Sequence, residues 1–130
     1  MLSGTHIIEG KLLRILLVED DDDIRRDLGD FLRDEGYDVE VASNGQEALE
    51  LLKHEKLPRL ILLDLMMPIK DGFQFRLEQE ADPRFSKIPV IIMSADGQMQ
   101  TKQAKARAAD YIKKPMDIFV ILDKIKLHCG

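Results

Sequence analysis

Tryptophan is absent from this chain and aromatic residues make up only 5% of it. That argues against an aromatic cage for a cationic ligand and against a platform for stacking nucleic-acid bases. Cysteine occurs once, at Cys129, so no internal disulfide can form, a usage that fits a reducing cytoplasm. No apolar run is long enough to span a bilayer; the longest, around Ile15–Val18 and Leu60–Leu63, are strand-sized. The first thirteen residues lack a basic start, and Glu9 and Lys11 interrupt them, so they do not form a signal peptide. An excess of positive charge is missing too. The chain carries 19 Lys and Arg against 24 Asp and Glu, a formal net charge of −5, which speaks against direct nucleic-acid binding and against membrane-surface attachment.

What is present fits one domain. The chain has 130 residues, 45% of them hydrophobic, enough for a single core. Residues 1–11 show no period and are expected to be a flexible N-terminal leader; residues 12–128 form the domain. Within it, Arg14–Val18, Leu60–Leu63 and Pro89–Met93 are short and apolar, as central parallel strands covered on both faces should be. Tyr37–Val41 alternates, and Tyr111–Lys114 gives a fifth strand. Between them lie helical stretches: Ile24, Leu28, Phe31 and Leu32 ending at Gly36; a second capped by Asn44; a third from Phe73; a fourth over Met99–Ala108; and a fifth carrying Ile118 to Leu127. Strict alternation of strand and helix predicts an α/β fold, a five-stranded parallel sheet with helices on both faces and right-handed crossovers.

The polar residues fall in telling places. Glu19 and Asp20 follow the first apolar run, Asp64 the third, Ser94 the fourth, and Lys114 the fifth. In an open parallel sheet these strand ends share one edge, where such folds bind ligands. Three carboxylates brought together repel one another, and a hard divalent cation relieves the conflict. With no His or Cys nearby, Mg²⁺ is the favoured ion. Asp64 is then the candidate nucleophile toward phosphorus. Lys114 and the metal would spread the charge of the transferring group, and Ser94 would donate to a phosphoryl oxygen. Asp21, Asp22 and Asp23 are better explained as a cap and an acidic first helical turn. His6, His54 and His128 belong to no motif and are expected at the surface.

Val18-Glu19-Asp20, Leu62-Leu63-Asp64-Leu65-Met66-Met67-Pro68, Asp71-Gly72, Met93-Ser94-Ala95 and Tyr111-Ile112-Lys113-Lys114-Pro115 together resemble the receiver domain of two-component response regulators. The resemblance runs from about Leu12 to Leu127. It implies a flavodoxin-like, doubly wound sheet of strand order 2-1-3-4-5, with Asp64 as phosphoacceptor. Asp20, Asp64 and the Met66 main-chain carbonyl would bind Mg²⁺ directly and Glu19 through water. Ser94 and Lys114 would contact the phosphoryl group, Tyr111 would be the rotameric switch aromatic, and Lys114–Pro115 would be cis. The implied partners are a sensor histidine kinase or phosphotransfer protein and a downstream protein at the fourth helix, fifth strand and fifth helix. The protein would be a monomer or a phosphorylation-dependent dimer in the cytoplasm. It would be no conventional enzyme, catalysing only its own aspartyl phosphorylation and dephosphorylation. The chain departs from the family in three places: Arg107 stands where a Gly usually ends the fourth helix, Glu19 replaces the commoner Asp, and Arg76, Glu78, Gln79 and Glu80 crowd the third helix.

Two other functions share the fold. A constitutive interaction module would have no working chemistry, yet every active position is suitably filled. An aspartyl-phosphate phosphotransferase on small molecules would want a second Asp two residues after the nucleophile as general acid, where this chain has Met66. Phosphorylation-dependent signalling is the reading that uses all the residues.

Overall fold

A computed structural model of the chain describes residues 7–8, 11–54, 56–95 and 108–129. Their elements run β1 (Ile7–Ile8), β2 (Lys11–Leu12), β3 (Arg14–Val18), α1 (Asp22–Asp34), β4 (Asp38–Ala42), α2 (Gly45–His54), β5 (Leu60–Asp64), α3 (Gly72–Ala81), β6 (Val90–Ser94), β7 (Asp110–Lys113) and α4 (Ile118–Cys129). The main sheet has the order β4-β3-β5-β6-β7 with every neighbouring pair parallel. Counted within that sheet alone, the order is the expected 2-1-3-4-5. Ile7–Ile8 and Lys11–Leu12 form a small separate antiparallel pair, Ile7 opposite Leu12 and Ile8 opposite Lys11. The helix expected over 99–108 lies outside the described residues, Arg107 with it, except for Ala108, which sits just ahead of β7.

Period-two alternation in the strands builds two cores from one sheet. Ile15, Leu17, Leu60, Leu62, Ile91 and Met93 face α1 and α4, meeting Leu28, Leu32, Ile121 and Ile125. Leu16, Val18, Ile61, Leu63, Val90 and Ile92 face the other way, toward Ala48, Leu49, Leu52 and Phe75 of α2 and α3. Since β3, β5 and β6 are buried on both faces, their near-continuous apolar runs are what the architecture demands.

Local signals fix the helix ends. Asp21 caps α1 by accepting from the Ile24 amide, with Asp22 and Asp23 in the first turn. Asn44 accepts from Glu47 N at 2.9 Å ahead of α2, and Asp71 caps α3 through Gln74 N. Gly36 has φ 96° just beyond α1, a left-handed conformation that a Cβ would strain.

The crowded third helix is resolved by burial. Arg76 and Gln79 both lie in the interior, Gln79 at 0% exposure. Gln79 Nε2 donates to the carbonyls of Phe85 and Ile88, at 3.0 and 3.1 Å. Arg76 in turn donates to Gln79 Oε1 and Glu80 Oε1. Gln79 therefore satisfies the turn that leads into β6 from within α3, while Glu78 and Glu80 stay partly exposed. His54 is exposed as expected, but His128 is not a free surface residue: its Nε2 lies 2.9 Å from Asp110 Oδ2.

Candidate functional site

The site stands where four strands stop, and hydrogen bonds carry the ladder one residue past two of them. Glu19 N donates to Ala42 O at 3.0 Å, and Lys114 N to Ser94 O at 2.9 Å. The residues just beyond β3 and β7 are thereby tied to the neighbouring strand. Asp64 is the last residue of β5 and Ser94 the last of β6. The Lys114–Pro115 peptide is cis, as the resemblance implies.

Glu19, Asp20 and Asp64 converge, each offering a carboxylate oxygen within 4.8 Å of the others. Glu19 is 0% exposed and Asp64 4% exposed, while Asp20 reaches solvent. Lys114 lies between the two buried acids, its Nζ 2.7 Å from Glu19 Oε1 and 3.5 Å from Asp64 Oδ2. Glu19 uses its other oxygen to accept from Asp21 N at 3.2 Å. Asp64 Oδ1 accepts from Met66 N at 3.3 Å, which brings the Met66 backbone against the site. Ser94, 1% exposed, lies on the same edge.

Electrostatics follow from this geometry. Burial first, then the adjacent Glu19, push the Asp64 carboxyl up to about 7, although Lys114 opposes the shift. Burial by itself would lower the Lys114 ammonium; its bonds to Glu19 and then Asp64 outweigh that and hold it raised. One lysine does not neutralise three acids. The unmet negative charge, the all-oxygen donor set and its compactness together fit a hard divalent cation such as Mg²⁺.

Of the residues singled out in the sequence, Glu19, Asp20, Asp64, Met66, Ser94 and Lys114 all gather at this edge. Tyr111 sits one strand over on β7, opposite Ile92, half-buried against the core of α2 and α3. Lys113 is exposed, as expected for a solvated side chain. Two features were missed. Sequence reasoning gave Glu19 and Lys114 separate tasks and did not foresee their direct pairing. It also passed over Arg25, whose Nη1 donates to Glu19 O at 2.9 Å and Asp20 O at 3.4 Å. An arginine in a charged helical turn gives no signal that it will reach back to a loop.

A family model described as the response regulator receiver domain matches residues 15–126. The chain is 38% identical over 117 residues to an uncharacterised 14.6 kDa protein of Leptolyngbya boryana, with 88% of each chain covered. It is 39% identical over 119 residues to response regulator RR06 of Streptococcus pneumoniae, covering 88% of this chain and 52% of that one, so it spans about half that relative's length. Among solved structures, response regulator TrrA of Thermotoga maritima, in complex with Mg²⁺ and BeF, superposes with a TM-score of 0.80 at 28% identity. That match covers 89% of this chain and 98% of TrrA.

Proposed function

The chain belongs to the response regulator receiver domain family, and from that premise we propose that residues 12–128 form a phosphorylation-dependent switch with Asp64 as its acceptor. The observation that carries this is the convergence of Glu19, Asp20 and Asp64 within 4.8 Å, with the Lys114 ammonium against two of them.

Ionised Asp64 attacks the phosphorus of a phosphohistidine on a sensor kinase or phosphotransfer protein. A P–O bond forms to the carboxylate, the P–N bond breaks, and its electron pair leaves with the imidazole. Lys114 follows the charge: its ammonium, shared between Glu19 and Asp64 beforehand, turns to an oxygen of the new phosphoryl group. Ser94 donates its hydroxyl to another. Glu19, Asp20, Asp64 and the Met66 carbonyl would hold Mg²⁺, which when bound offsets the clustered carboxylates and the phosphoryl oxygens. The solved complex of TrrA with Mg²⁺ and BeF supports that ligand class.

Once Ser94 is engaged, Tyr111 turns toward the space it leaves, and the surface of β7 and α4 changes for a downstream protein. Phe119 and Leu127, 71% and 72% exposed on α4, support that surface as a docking face. Signalling then requires a partner with different affinities for the two states. A cytoplasmic setting is supported by the single Cys129. Among the described residues, no helix is long and apolar enough to cross a membrane.

Acetyl phosphate tests the chemistry. Intact mass should rise by one phosphoryl group when Mg²⁺ is present, and not at all in Asp64→Asn or with excess chelator. A mass gain that survives Asp64→Asn would remove Asp64 from the role.

A further inference from the structure

The acidic loop after β3 is an improbable shape for its charge. Five acids follow one another, Glu19 to Asp23, and the first two must still converge on Asp64. Two internal bonds help, the Asp21 amide to Glu19 Oε2 and the Ile24 amide to Asp21 Oδ1. The first also orients the peptide plane between Asp20 and Asp21; neither reaches the plane between Glu19 and Asp20.

Arg25 does. Its side chain is only 20% exposed despite its charge. Nη1 spans two consecutive carbonyl oxygens, those of Glu19 and Asp20, while Nη2 pairs with the Asp22 carboxylate. The planar fork of a guanidinium holds the two carbonyls on one nitrogen and the Asp22 carboxylate on the other in one fixed geometry, which a lysine ammonium on a flexible stem does not reproduce. Holding both carbonyls fixes the peptide planes on either side of Asp20 and so the direction in which its Cβ leaves the chain. We infer that Arg25 is a positioning residue for the cation site: it sets the Glu19–Asp20 main chain so that the carboxylates arrive already gathered. The inference rests on the reading of the cluster as a Mg²⁺ site.

Charge and positioning make opposite demands here, which lets an experiment separate them. A positive group beside a cation site weakens cation binding, so if Arg25 acted only through its charge, Arg25→Ala would bind Mg²⁺ more tightly and Arg25→Lys would match the unmodified protein. Positioning requires the reverse. Both variants should bind Mg²⁺ about tenfold more weakly, the lower end of the loss found when groups supporting metal ligands are removed.

The measurement is calorimetric titration with MgCl₂ alone on the full chain and on both variants, each checked for folding by thermal melting without metal. Arg25→Lys keeps the charge and guards against a variant that merely fails to fold. At saturating Mg²⁺ the acetyl phosphate rate of Arg25→Lys should recover to within about twofold of the unmodified protein, since Arg25 touches no reacting group. Unchanged affinity in Arg25→Lys, or tighter binding in Arg25→Ala, would overturn the inference and leave the cation site standing. Failure of the unmodified chain to bind Mg²⁺ at millimolar concentration would overturn the site itself and the inference with it.

Discussion

Asp64 is the residue on which chemistry and stability pull against each other. In the folded, metal-free protein its carboxyl is pushed up to about 7 by burial and by Glu19, whereas an unfolded chain releases that proton near pH 4. Between those values the folded state binds the extra proton, so metal-free stability declines as pH rises from about 4 to about 7. A carboxylate held low by a salt bridge would behave in the opposite way. Asp64→Asn should therefore stabilise the metal-free protein by up to about 4 kcal/mol at pH 8 and have almost no effect at pH 4. Urea denaturation at the two pH values measures this, and an equal effect at both would show that Asp64 is not strained by its charge. For the same reason Mg²⁺ affinity should fall below pH 7, by up to about tenfold per unit, as protons compete for Asp64. Lys114 has a second duty that sequence alone did not reveal. Removing it in Lys114→Ala strands Glu19 in the interior and should cost about 3 kcal/mol without metal. The same variant should still take up beryllium fluoride with Mg²⁺ but lose the spectral response at Ser94 and Tyr111; a full response there would exclude the coupling role.

Among the elements, the strands and the place of the third helix were legible in the sequence and the packing of that helix was not, for one physical reason. A strand buried on both faces must be apolar throughout, so Leu60–Leu63 and Val90–Met93 announce themselves, and the polar residue after each run must sit at the sheet edge. Glu19, Asp64, Ser94 and Lys114 were all found by that argument. Helix α3 is different because Gln79 is buried by virtue of two carbonyls, Phe85 and Ile88, supplied by a turn six and nine residues on. Periodicity counts a glutamine as exposed and cannot see its partners; the same blindness hid the bridge from Arg25 to the Glu19 and Asp20 carbonyls. Two glycines make the packing of these elements testable. At Gly72 an added Cβ would meet Asp64 O at 2.7 Å and Leu65 Cα at 2.8 Å, so Gly72→Ala should cost about 1–3 kcal/mol and slow phosphorylation by shifting the Asp64 loop. At Gly29, inside α1, the nearest atoms stand at 3.5 and 3.6 Å, ordinary contact. Gly29→Ala should therefore stabilise the fold by about 0.5–1 kcal/mol through helix propensity. Thermal melts of the pair should move in opposite directions, and a common sign would contradict the packing described.

For the whole molecule, one sheet lies between two cores, and the site's residues stand at its edge. The two faces are filled separately, by α1 and α4 on one side and by α2 and α3 on the other. Ser94 and Tyr111 lie on neighbouring strands, β6 and β7, so a change at the phosphoryl group has one ladder to cross before it reaches the β7–α4 surface. The most direct measurement is an amide NMR titration of the full chain with Mg²⁺, then with beryllium fluoride, repeated on Asp64→Asn. A cation-assisted aspartate switch gives saturable shifts at Asp64, Ser94 and Tyr111 that require both additions and vanish in Asp64→Asn. Spectra that stay unchanged at Ser94 and Tyr111 with both ligands at millimolar concentration would contradict it.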